Sequence, residues 1–102
     1  MCSATKYWQD KIAGIVSRLV KDLGVDGVYM DQVAAAWSEV CSDPSHGHPL
    51  RGGGWWIDGY AQMMKETWRR LRQTGRAKDI LLTTECNGEP FLRWFDGYLT
   101  WH

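Results

Sequence analysis

Val25-Asp26-Gly27-Val28-Tyr29-Met30-Asp31-Gln32 decides how the rest of this chain is read. The stretch is short, apolar and bounded by glycine, and its apolar run is nearly continuous rather than alternating. That pattern suits a parallel strand covered on both faces, running from Gly27 to Asp31. A second segment of this kind, Ile80-Leu81-Leu82-Thr83-Thr84-Glu85, also ends on an acid. In parallel α/β sheets the active site gathers at the carboxyl ends of the strands. Two strands that each deliver a carboxylate there are what acid/base chemistry on such a scaffold requires.

Working outward, residues 5–23 carry Trp8, Ile12, Ile15, Val16, Leu19, Val20 and Leu23 at three- and four-residue spacing, one buried helical stripe. Ser3 is the expected N-cap and Gly24 the residue just past the end. A second helix is expected over 55–74, with Trp56, Tyr60, Met63, Met64, Thr67, Trp68 and Leu71 as its stripe and Gly75 as its stop. Asn87-Gly88-Glu89-Pro90 breaks the chain, with Pro90 placed for the first turn of a short helix through Phe95. Gly97-Tyr98-Leu99-Thr100-Trp101 reads as a third strand. Between the first strand and the second helix, residues 41–54 (CSDPSHGHPLRGGG) are loop chemistry throughout, longer than most connections in a compact domain. Strands alternating with helices predict a parallel sheet. A closed barrel takes about 250 residues, so the expectation is a partial (β/α)8 (TIM) barrel of about three parallel strands with connecting helices. Residues 1–102 then form a single segment of a larger barrel.

Composition narrows the function. The 102 residues carry 12 basic and 12 acidic side chains, so no basic excess points to nucleic acid or to an anionic membrane. No apolar run approaches the roughly 20 residues of a membrane span. The N-terminus lacks the apolar stretch of a secretory signal, which leaves a cytoplasmic location as the default expectation. Three cysteines, Cys2, Cys41 and Cys86, are few and far apart, and reduced thiols are expected. Seven tryptophans are more than a core of this size needs, and indole also stacks on the apolar face of a sugar ring.

Asp31 and Glu85 are the candidate catalytic pair. Adjacent strands lie about 4.8 Å apart, so both carboxylates would project into one site, the pair that glycoside hydrolysis needs. The plainer reading is that each acid caps the segment that follows it. Glu89 and Asp96 are secondary candidates, with a structural role favoured for Asp96 at the start of the third strand. His46 and His48 flank Gly47 in the long loop. A metal reading would join them to Cys41 and Cys86, but the paired spacing of structural zinc ligands is missing, so no metal is expected. A Cys86 nucleophile with a histidine base is conceivable, though Glu85 beside it opposes thiolate formation. Gly52-Gly53-Gly54 lacks the rest of a phosphate-binding motif and reads as a hinge or a close backbone approach.

Taken together, Gly27-Val28-Tyr29-Met30-Asp31-Gln32, Asp43-Pro44-Ser45-His46-Gly47-His48-Pro49-Leu50, Gly53-Gly54-Trp55-Trp56, Leu82-Thr83-Thr84-Glu85 and Phe95-Asp96-Gly97-Tyr98-Leu99-Thr100-Trp101 resemble a bacterial family of glycoside-hydrolase-like barrel proteins of unknown function. Its layout is similar to the α-galactosidase and endo-α-N-acetylgalactosaminidase barrels. The resemblance implies that the chain runs from about the third helix to the sixth strand of such a barrel. It implies Asp31 as nucleophile at the end of strand four and Glu85 as acid/base at the end of strand five. His46, His48, Trp55, Trp101 and Gln32 are then expected to bind the sugar. A carbohydrate substrate, no cofactor, no nucleic acid and no membrane follow. The alternative is a non-catalytic carbohydrate-binding or self-associating α/β module, because an incomplete barrel exposes strand edges.

Overall fold

In a computed structural model that describes residues 1–100, the chain is α/β, with three parallel strands and connecting helices, consistent with a partial barrel. Helix α1 (Lys6–Leu23) leads into β1 (Gly27–Met30). A long loop with a 3-10 turn at Pro44–His46 follows, then α2 (Trp55–Gln73), β2 (Leu81–Glu85) and β3 (Gly97–Leu99). The strand order is β1-β2-β3, all parallel. Among the described residues no helix is long and apolar enough to cross a membrane.

The elements follow the sequence patterns closely. Gly24 ends α1 with φ 68°, a left-handed conformation that costs glycine nothing. Residues 3–5 depart from expectation. Thr5, not Ser3, is the N-cap, and its hydroxyl turns back to donate to Cys2 O at 2.9 Å. Ser3 is instead buried, because its hydroxyl donates to Trp56 O at 3.0 Å on the facing helix. The short helix expected through Phe95 is a single 3-10 turn, Glu89–Phe91, continued by the i→i+3 bond from Trp94 N to Phe91 O at 2.9 Å. The chain must be extended again by Asp96, whose N–H donates to Leu82 O at 2.8 Å while its carboxylate accepts from Leu82 N at 2.9 Å. That reciprocal clamp docks the start of β3 and gives Asp96 a structural role.

Both helices share one core. Val16 and Val20 of α1 meet Met63, Met64 and Leu71 of α2 and the sheet residues Met30 and Leu82. Register sorts the sheet's two faces. Val28 pairs with Leu82 and Met30 with Thr84, and these face the helices. The alternate residues, Tyr29, Leu81 and Leu99, lie on the other face and are 45%, 54% and 57% exposed. Sequence reading expected the first strand to be covered on both faces; among the described residues only one face is covered.

Candidate functional site

β1 ends at Met30, and β2 ends one residue beyond the partner of Met30. Met30 pairs with Thr84, so the next residue on each strand is an acid, Asp31 and Glu85. Glu85 pairs with Leu99 and has the parity of Tyr29, away from the helices, while Asp31 is the first residue of the turn that follows β1. Thr84, fully buried, donates its hydroxyl to Met30 O at 2.6 Å and locks the strand ends in alignment. Cys86 N donates to Leu99 O at 2.8 Å and extends that alignment to β3.

Directly after the acids the backbone turns in the same unusual way twice. Gln32 has φ 61° and Cys86 φ 56°. A side chain in the left-handed region costs about 1 kcal/mol or more, and such positions cluster at functional sites. Tyr29 stands between the acids electrostatically. Its phenol is held above its ordinary pKa by partial burial, then by the negative charges of Glu85 and Asp31 and a hydrogen bond with Asp31. It therefore stays a neutral donor beside the carboxylates.

The loop residues expected to bind sugar sit in a different set of contacts. His48 Nε2 is 3.2 Å from Cys2 Sγ, and its Nδ1–H donates to Pro49 O at 2.7 Å. His46 Nδ1 is 3.2 Å from Cys41 Sγ, and its Nε2 faces Asp43 Oδ2 at 3.3 Å. Trp55 is buried with its ring stacked on His48, centroids 3.9 Å apart at 12°, and its indole N–H donates to Arg51 O at 3.1 Å. Asp43 is held below the usual carboxylate range by two hydrogen bonds from Ser45, and then by the neighbouring histidines. Burial, opposed by a backbone hydrogen bond, and the adjacent Cys41 sulfur push the Cys2 thiol up. Gln32 is exposed directly after Asp31. Trp101 lies outside the described residues.

The donor set corrects the sequence reading of the cysteines. Cys86 belongs to the strand-end site. Cys2, which no local spacing connects to the histidines, completes a group of Cys2, Cys41, His46 and His48 whose ligand atoms all lie within 4.8 Å of one another. The absence of a C-x-x-C pair thus does not exclude a metal-binding set. The only earlier signal for Cys2 was the presence of a thiol near the N-terminus.

The profile of one protein family, described as Domain of unknown function (DUF6259), matches residues 1–102. The chain belongs to the DUF6259 family. A relative from Bacteroides thetaiotaomicron is 36% identical over 95 residues, covering 93% of this chain and 14% of the relative. One from Monosiga brevicollis is 37% identical over 94 residues, covering 92% of this chain and 8% of the relative. The first is named "Putative glycoside hydrolase" and the second "Putative glycoside hydrolase 22789". This DUF6259 chain therefore spans a small part of the length of the curated relatives it matches. No solved structure matches it.

Proposed function

We infer that this chain is the acid-bearing middle of a glycoside hydrolase barrel that hydrolyses O-glycosidic bonds with retention. The observation that carries the reading is the register Met30–Thr84, which brings Asp31 and Glu85 to the carboxyl ends of adjacent strands. The relatives' names supply the reaction class. In this mechanism Asp31 attacks the anomeric carbon while Glu85 protonates the departing oxygen. Glu85 then deprotonates the water that releases the sugar from Asp31. Tyr29, kept neutral, donates to the Asp31 carboxylate and orients it.

Surfaces of this chain favour a larger barrel around it. A groove of about 270 Å³ runs along α1 and the outer edge of β1, with Ile12, Ile15, Leu19, Val28 and Asp31 in its lining. A further strand–helix unit would pair with that edge and cover those side chains. The same apolar surface supports the second reading, a self-associating module.

The deciding experiment uses a 2-deoxy-2-fluoro glycosyl fluoride, which traps a retaining enzyme as a covalent glycosyl ester. Peptide mapping of the treated full-length protein should find the sugar on Asp31. Turnover of aryl glycosides with inverted stereochemistry, or labelling of another carboxylate, would remove the assignment.

A further inference from the structure

We propose that Cys2, Cys41, His46 and His48 form a tetrahedral Zn²⁺ site that fastens the N-terminal strap to the loop leaving β1. It stands apart from the hydrolase reading, since none of its four donors is an acid of the strand ends.

Two of the donor edges are already close to those around a bound ion, and all four donors lie within 4.8 Å of one another. Zinc takes Cys sulfur at about 2.3 Å and His nitrogen at about 2.0–2.1 Å, so tetrahedral sulfur–nitrogen edges are about 3.5 Å. The Cys2–His48 and Cys41–His46 edges are each 3.2 Å. An ion therefore asks for movements of only a few tenths of an ångström along these edges.

The ring nitrogens not facing the thiols have the partners that metal-bound histidines use. His48 donates Nδ1–H to the Pro49 carbonyl, which leaves Nε2 as the lone-pair nitrogen toward Cys2. His46 places Nε2 by the Asp43 carboxylate and Nδ1 by Cys41. Asp43 is itself held by Ser45 N at 2.9 Å and Ser45 Oγ at 2.7 Å. A carboxylate or carbonyl behind each imidazole sets its tautomer and orientation.

Contacts outside the donor set bring its two halves together. The antiparallel bridge between Cys41 and Arg51 closes the base of the loop. The 3-10 turn Pro44–His46 and Gly47 at φ 73° reverse the chain between the histidines. On the other side, Ser3 is seated against α2, where a Cβ on Gly59 would lie 2.5 Å from Ser3 C and O. Gln9 holds the Ser3 carbonyl at 2.9 Å. The strap is thus delivered to the loop by packing, and the entropy of assembling the site is largely met before an ion arrives.

Ligand chemistry selects the ion. Two thiols and two imidazoles suit zinc rather than calcium or magnesium, which take oxygen donors. Four protein ligands leave no open coordination position for water or substrate, so the site is structural. It braces the loop that begins directly after Asp31.

The test is Co²⁺ titration of the full chain, purified under reducing conditions, stripped with chelator and shown folded by circular dichroism. One equivalent should give the intense visible bands and thiolate charge-transfer absorption of tetrahedral S₂N₂ cobalt, displaced by Zn²⁺. Cys2→Ser, Cys41→Ser and His48→Gln should each abolish that spectrum, whereas Cys86→Ser should retain it. Asp43→Ala should weaken affinity by about 10–100-fold. The proposal is overturned if the folded wild-type chain gives no tetrahedral spectrum or if Cys86→Ser abolishes it. A Cys2–Cys41 disulfide that persists under reductant and blocks metal also overturns it. The wild-type titration decides the matter even where a variant fails to fold.

Discussion

Asp31 and Glu85 each lie one residue beyond the Met30–Thr84 pair, and each is followed by a residue with positive φ. The chain therefore turns in the same way directly after each acid.

If the pair works as proposed, Glu85→Gln in the full-length hydrolase should lower kcat on aryl glycosides by about 10²–10⁴-fold. Asp31→Asn should remove turnover with alkyl and aryl leaving groups alike. Tyr29→Phe should reduce kcat by less than either. Steady-state kinetics on the three variants checks the ranking.

Gly59→Ala should unseat the N-terminal strap, because its methyl would meet Ser3 backbone at 2.5 Å. Overpacking of this kind costs about 1–3 kcal/mol. Urea unfolding should show the loss, and Gly59→Ala should also weaken cobalt binding by the chain. A methyl placed at exposed Gly52, where it would meet nothing within 4 Å, is the control.

Asp96→Ala leaves Leu82 N without its carboxylate acceptor. Loss of a hydrogen bond to a charged group costs about 1.5–3 kcal/mol. Amide hydrogen exchange should accelerate at Leu82 and across β3, with α1 little changed. Uniform acceleration throughout the chain would instead mean that β3 and the helices unfold as one unit.

Glu66 should give the chain an acid-sensitive component of stability. Arg69 and Arg70 hydrogen bonds lower its pKa from 4.5 to about 2. A depressed folded-state pKa stabilises the fold above pH 4.5, and that contribution is lost as pH falls from 4.5 toward 2. Water and salt screen this largely surface cluster, which holds its worth to about 1 kcal/mol. Thermal melts of wild type and Glu66→Gln should converge as pH drops through that window and separate above it.

Thr84→Val keeps the shape of the buried side chain but removes its bond to Met30 O. The expected cost is about 0.5–1.5 kcal/mol, the net worth of one buried neutral hydrogen bond. Because the bond aligns the strand ends, kcat in the full-length protein should fall more than stability explains. Unchanged kcat with lowered melting temperature would show that Thr84 serves packing alone.

By itself the sequence determined the two long helices and the strands they connect. The stripe from Trp8 to Leu23, the stripe from Trp56 to Leu71, the stop at Gly24 and the acid-tipped apolar runs are local patterns. Each has a period or a terminator that a single element must obey, and their ends came within one or two residues. Their alternation was enough to imply a parallel sheet. Tertiary structure decided what depends on residues distant in the chain. Only register brought Asp31 and Glu85 to the same end of neighbouring strands, because a slip of the pairing would move one acid along the sheet relative to the other. Only the seating of Ser3 on Gly59 brought Cys2 to a histidine 46 positions away and made Cys86 the wrong third cysteine. Such a meeting has no local signature: it exists because α2 carries a glycine at the point where the backbone of Ser3 lies against it.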